Sequence, residues 1–161
     1  QGGTERSSVL RKEMAQSMEN GCGIYREAKS MQATCDTIDT LRQRYKKIRL
    51  DDHSKAWNTD WLMAIELGFL LDVAQAMVYS AINRKESRGS HQRLDGYTER
   101  DDVNFLKHSL ATFAGDDAPR ISYGDVKITK SPPGTRAYGA AGEKADAERK
   151  AQQAAQGGSH V

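Results

Sequence analysis

Four histidines, two cysteines and one dense run of mixed charge are the side chains in this sequence with chemistry to offer, and their spacing decides what each can do. His53, His91, His108 and His160 never recur at the three- or four-residue interval that stacks two imidazoles on one helix face to hold a metal. Cys22 and Cys35 are too few for a disulfide scaffold and form no CxxC pair, so free thiols in a reducing compartment are expected. Gly21-Cys22-Gly23 is a bare GxG, without the third glycine or the preceding strand of a dinucleotide site, and reads as a plain turn around an unactivated thiol. The run Arg84-Lys85-Glu86-Ser87-Arg88-Gly89-Ser90-His91-Gln92-Arg93, followed by Glu99-Arg100-Asp101-Asp102, is different in kind. Arg84 and Arg88 are four apart, which puts them on one helix face, and Arg93 and Arg100 alternate with Asp95, Glu99, Asp101 and Asp102. Charge this dense and this nearly balanced implies paired ions rather than an anion-binding patch. The residues alone leave open whether those pairs fix an interface or decorate a solvated loop.

The elements that must position this run follow from length and apolar patterning. At 161 residues the chain has room for one domain and a tail. Its 24 basic and 22 acidic residues give a net charge of +2, far from the basic balance of a nucleic-acid grip. Only 26 residues are Val, Ile, Leu or Phe, and nine of them lie between Leu62 and Ile82, so one element carries the core. Leu10, Met14 and Met18 predict a short amphipathic helix from a Ser7 or Ser8 cap to Asn20-Gly21. Met31, Cys35, Ile38, Leu41 or Arg42, Tyr45 and Ile48 predict a second, capped by Ser30. Its basic residues Arg42, Arg44, Lys46, Lys47 and Arg49 read as a solvated side, which disfavours a nucleic-acid role. A third helix, capped by Asn58 or Thr59, is apolar all round, hence expected to be buried, and runs to about Arg88 with Gly89 as its stop. Glu66 and Asp72 interrupt its apolar run, so no membrane span is expected.

Beyond Asp101 the texture changes. Residues 103–110 are ambiguous between helix and strand, whereas Arg120–Tyr123 and Asp125–Thr129 alternate as strands do, and Gly115-Asp116-Asp117 is turn chemistry joining a hairpin. The expected fold is mainly α: a three-helix up-down bundle, then a short β-hairpin, then a disordered tail. Residues 1–108 would form the bundle with its charged C-terminal segment. Residues 109–138 would form the hairpin and an extended segment broken at Pro132-Pro133-Gly134. Residues 139–161 offer almost nothing apolar to bury and would be mobile.

Several strings taken together resemble one family. Gly21-Cys22-Gly23-Ile24-Tyr25-Arg26, Asn58-Thr59-Asp60, Ile65-Glu66-Leu67, the run from Arg84 to Asp95, Thr98 to His108, and Pro132-Pro133 are similar to the C-terminal helical domain of succinate dehydrogenase and fumarate reductase flavoprotein subunits. The strings 101–108 and 125–129 look closer to the bacterial quinol-linked fumarate reductase branch, and Ser90 stands where that family usually has Ala. The resemblance implies a spectrin-repeat-like three-helix domain within an oxidoreductase. That parent enzyme transfers a hydride between covalent FAD and the fumarate–succinate pair, and exchanges electrons with quinol in anaerobic respiration. The implied partners are the flavin-binding domain of the same chain, an iron–sulfur subunit and membrane-anchor subunits. The implied location is the cytoplasmic side of the bacterial inner membrane, with no direct insertion and no nucleic acid. The family's flavin-linking and dicarboxylate-binding motifs lie outside this region, so the resemblance implies no catalytic, cofactor or metal residue here. It implies instead that Arg84, Glu86, Arg88, His91, Arg93, Arg100, Asp101, Asp102 and His108 are interdomain docking positions, and that residues 109–138 pack on the bundle or on the missing flavin domain. The alternative reading is a free-standing helical adaptor that binds a protein through the same charged segment.

Overall fold

The computed structural model describes residues 3–130 and 147–148. The expectations for Pro132-Pro133-Gly134 and for the tail, 147–148 apart, lie outside the described residues. The chain divides into two units, Gln1–Val126 and Lys127–Val161, and the architecture below is that of the first. It comprises α1 (Ser7–Cys22), β1 (Tyr25–Arg26), α2 (Ala28–Tyr45), α3 (Thr59–Asn83), β2 (Gln92–Arg93), a single turn α4 (Asp102–Phe105), β3 (Lys107–Thr112) and β4 (Arg120–Asp125).

The three long helices pack on one another as the apolar spacing predicts. Leu10 and Met14 of α1, Ile38 and Leu41 of α2, and Leu67, Leu71 and Ala74 of α3 form one buried cluster; Cys22, Met31, Cys35, Val78 and Ala81 form a second. Gly21 is the close-approach point of α1 and α2: a Cβ there would lie 2.0 Å from Thr34 Oγ1 and 2.6 Å from the Ser30 carbonyl oxygen. A side chain at Gly21 would therefore force the two helices apart.

The helix ends differ from the sequence reading in instructive ways. Asn58 caps α3 as expected, its side-chain oxygen accepting from the Trp61 N–H at 2.8 Å. The α2 helix starts at Ala28, not at Ser30, whose hydroxyl donates to the Glu27 carbonyl instead. The Ala28 N–H is met by Asp95 Oδ2 at 2.7 Å, a cap from 67 residues downstream that no local pattern reveals. The α3 helix ends at Asn83, five residues before the expected end at Arg88, because Arg93 takes the Ile82 carbonyl and, with His91, that of the cap residue Arg84. Gly89 serves a tight reversal instead: at φ +60 it lets Arg88 and His91 exchange both backbone hydrogen bonds. Residues 103–110 resolve into the turn of α4 followed by β3. The antiparallel β3–β4 hairpin pairs Lys107 with Asp125 and Thr112 with Arg120, while residues 126–129 continue without strand pairing.

The largest correction concerns α3. Its apolar residues predict burial all round, whereas it packs as a bundle helix with 33% of its most apolar stretch buried. By length and composition alone it could cross a membrane, a test that a core helix also passes. Asp72 pairs with Arg42 Nη2 at 2.9 Å and Glu66 with Arg11. Leu62, Phe69, Val73 and Met77 follow one another at helical spacing on the flank opposite Leu67, Leu71, Ala74 and Val78, and are 51%, 67%, 56% and 51% exposed. An all-round apolar helix needs neighbours on all sides, and among the described residues this chain covers only one.

Candidate docking surface

The charged run folds into a shoulder at the C-terminal end of α3. Glu86 is its centre and is fully buried. Its carboxylate accepts from Arg88 Nε at 2.9 Å, Arg88 Nη2 at 3.0 Å, the Asp101 N–H at 2.8 Å and Arg84 Nη1. Arg88 reaches on to Asp102 at 2.7 Å, and Asp102 also accepts from Arg100 at 2.8 Å. Arg84 and Arg88 thus converge as their spacing suggested, but across a turn of chain rather than on a helix face. Burial pushes the Glu86 carboxyl up, and its hydrogen bonds from Arg88, Asp101 and Arg84 outweigh this, holding it below the ordinary range. Asp101 caps α4, accepting from the Val103 and Asn104 N–H groups.

A second cluster clamps the bundle. Arg93, only 2% exposed, grips Asp95 with Nε and Nη2 at 2.7 Å each and donates Nη1 to the Ile82 and Arg84 carbonyls. Asp95 in turn caps α2, and its carboxyl is held down at about 2, chiefly by Arg93. His91 accepts at Nδ1 from Arg26 Nη1 (2.8 Å), because a guanidinium can only donate, so Nε2 carries the proton and donates to the Arg84 carbonyl at 3.0 Å. Burial lowers the His91 pKa, Arg26, Arg93 and Arg84 lower it further, and only the bond to the Arg84 carbonyl works the other way. The clamp joins β1 to β2 as a parallel pair, with Gln92 N–H donating to Ile24 and Leu94 N–H to Arg26.

Arg84 links the shoulder to the hairpin, donating to the Phe105 and Lys107 carbonyls and to Ser109 Oγ, with its guanidinium 5.6 Å from the Phe105 ring centroid. His108 is exposed on β3 opposite Gly124. Arg42, expected on the solvated side of α2, is instead mostly buried. It donates to Gln75 Oε1 at 2.5 Å and to the Gly115 carbonyl at 2.9 Å, fastening the hairpin loop to α2 and α3. At the other end of α3, Trp57 is 98% exposed at φ 57, in the left-handed region that bulky residues avoid, and Trp61 and Leu62 extend its apolar surface onto the helix.

The one glycine-rich fragment singled out in the sequence does not form a phosphate cradle. Gly21-Cys22-Gly23 lies at the end of a helix with its first glycine packed on Thr34, whereas a pyrophosphate cradle opens a helix after a strand. Burial pushes the Cys22 thiol up and the Cys35 thiol up to about 12, so neither is a ready nucleophile. Among the described residues no three His, Cys, Asp or Glu side chains are grouped to hold a metal. What the arrangement offers is a braced shoulder and hairpin beside an open apolar flank.

Comparison with known proteins gives this surface a context. Residues 11–138 match the family described as "Fumarate reductase flavoprotein C-term". Fumarate reductase flavoprotein subunits of Haemophilus influenzae and Serratia sp. are 57% and 58% identical over 157 and 153 residues, covering 98% and 92% of this chain and 26% of each relative. A succinate dehydrogenase flavoprotein subunit of Rickettsia felis is 37% identical over 138 residues, 80% of this chain and 23% of the relative, in keeping with the expected branch. A solved structure of an Escherichia coli quinol fumarate reductase variant superposes with a TM-score of 0.79 at 54% identity, covering 84% of this chain and 23% of that one. Mycobacterium smegmatis Sdh1 gives 0.67 at 28% identity, over 77% of this chain and 21% of that one. The chain thus spans about a quarter of the length of the curated relatives it matches. It belongs to the fumarate reductase flavoprotein C-terminal family.

Proposed function

We propose that this chain is the C-terminal region of the flavoprotein subunit of a quinol-linked fumarate reductase, and that it docks against the FAD-binding part of that subunit and braces it. The parent enzyme interconverts fumarate and succinate with covalent FAD and exchanges electrons with quinol through an iron–sulfur subunit. Membrane-anchor subunits hold it at the cytoplasmic face of the bacterial inner membrane, without insertion of this region. The chain itself supplies no catalytic group and binds no flavin. Arg84, Glu86, Arg88, Arg93, Arg100, Asp101 and Asp102 act mainly by pairing with one another, which stiffens the shoulder that the docked surfaces share; His91 and His108 lie at its edges.

One observation carries this reading. The α3 helix is apolar all round but covered on one flank, in a chain a quarter as long as its relatives. Covering four half-exposed apolar side chains is worth roughly 1 kcal/mol each, a fair start for an intrachain interface, which is more polar and less extensive than a core. The test is Phe69→Asp, introduced both in the isolated chain and in the full-length subunit. In the isolated chain, where Phe69 faces water, helix content and melting temperature stay within the range of surface substitutions. In the full-length subunit the buried, unpaired carboxylate lowers flavin content and fumarate reductase activity together. Full activity of that variant would leave the flank without a role in docking. An upstream reading frame with no flavin-binding region would leave the free-standing adaptor as the reading.

A further inference from the structure

Arg84, Arg88, Arg93 and Arg100 are each paired with a carboxylate. Arg26 is the half-buried arginine of this neighbourhood that is not: among the described residues its guanidinium donates Nε to the Gly23 carbonyl at 2.5 Å and Nη1 to His91 Nδ1 at 2.8 Å, and no carboxylate meets it. A guanidinium has five N–H donors in a rigid fork, so part of that fork is left without an acceptor. His91 cannot answer the charge, since it presents only a neutral nitrogen. Arg26 is half-buried along an open cleft of about 500 Å³ whose other polar walls include Ser80, Arg84, His91 and Ser109 and whose apolar wall includes Val73 and Met77. The cleft is therefore continuous with the uncovered flank of α3. The donors of Arg84 that face the hairpin are already taken by Phe105, Lys107, Ser109 and Glu86.

We infer that Arg26 receives an Asp or Glu carboxylate carried on the segment of the flavoprotein subunit that covers α3, with that segment's apolar neighbours lying on Val73 and Met77. The inference rests on the docking reading above and adds to it the group that fixes the register of the docked surfaces. A half-desolvated guanidinium with a spare fork is suited to bidentate pairing with a carboxylate. The apolar wall selects an anion attached to a protein segment over a free one. An ion pair at one end of an apolar strip sets where along the strip the partner stops, which apolar contact alone does poorly.

The test uses the full-length subunit carrying Arg26→Lys, treated with a water-soluble carbodiimide, which joins an amine to a carboxylate it touches. The expected product is an amide bond from position 26 to an Asp or Glu upstream of this chain, located by mass spectrometry. A second measurement needs no variant: phenylglyoxal modifies Arg26 in the isolated chain and does so at least tenfold more slowly in the full-length subunit. Absence of any cross-link from position 26, cross-links only to carboxylates of this chain, or equal reactivity of Arg26 in both forms overturns the assignment. Protection of Arg26 in the isolated chain by added succinate also overturns it, by moving the cleft to a free dicarboxylate. If Phe69→Asp still disrupts the full-length subunit while the cross-link fails, docking stands and the carboxylate falls. If both fail, both readings fall.

Discussion

Replacing Glu86 by Gln removes one charge from the shoulder while keeping its shape, and the structure sets what that costs. The carboxylate is fully buried and takes four hydrogen bonds from Arg84, Arg88 and the Asp101 N–H. Breaking a fully buried pair by deleting one partner costs about 3–5 kcal/mol. The cost here is lower, because Arg88 keeps Asp102 and Arg84 keeps the Phe105 and Lys107 carbonyls. We expect about 2–3 kcal/mol, a loss of roughly 8 °C in melting temperature for a unit of this size. Thermal and urea unfolding followed by far-ultraviolet circular dichroism measures it, with Glu99→Gln at an exposed position as the control, within about 0.5 kcal/mol of the parent. The pH dependence is a further signature. Hydrogen bonding holds the native Glu86 carboxyl below its ordinary value, so its contribution is present above the unfolded value of about 4.3 and lost as pH falls through the native one. The parent and the Gln variant should therefore converge in acid. A Gln variant as stable as the control, or a stability gap that does not close with falling pH, refutes Glu86 as the keystone.

Asp95→Ala leaves Arg93 buried without its carboxylate and the Ala28 N–H uncapped, and should cost roughly 3 kcal/mol in urea unfolding. With the native Asp95 carboxyl at about 2, that contribution is present above the unfolded value of about 3.9 and drains away as pH falls toward 2. His91 must release Arg26 to take a proton at Nδ1, so as pH falls below about 6.5 the unfolded chain protonates first and stability declines; urea midpoints across that range should show the slope, and His91→Gln should remove that part of it. Cys22 and Cys35, both buried with raised pKa values, should resist a thiol-specific disulfide reagent at neutral pH and react fully in urea, and rapid labelling of the native chain would contradict this.

The sequence made the helices legible because apolar side chains recur at three and four residues in 7–20 and 31–48, and because Asn58 carries its own cap. The hairpin was legible from alternation and from Gly115-Asp116-Asp117. What stayed hidden depends on contacts between distant residues. The end of α3 is set by Arg93 and His91, and the start of α2 by Asp95, so local capping rules placed both wrongly. Arg42 reads as solvated until the hairpin loop, some 70 residues on, is laid against it. The apolar all-round pattern of α3 predicts burial on every side, but a hydrophobic residue does not record which chain segment covers it, and among the described residues only one flank is covered. The charged run was legible as a set of pairs, though not as one centred on a buried Glu86. The role of Arg26 is not legible in the sequence, because it lies in having no carboxylate partner, which only geometry reveals.

Methionine oxidation by dilute hydrogen peroxide tests the covered flank most directly, because the chain carries its own references. Met77 is 51% exposed on the open side of α3, whereas Met31 is fully buried between the helices. In the isolated chain Met77 should oxidise readily and Met31 hardly at all. In the full-length flavoprotein subunit Met77 should fall to the rate of Met31. Oxidation of Met77 at the same rate in both forms would contradict the account, since it would show that nothing in the subunit covers the flank on which the docking reading rests.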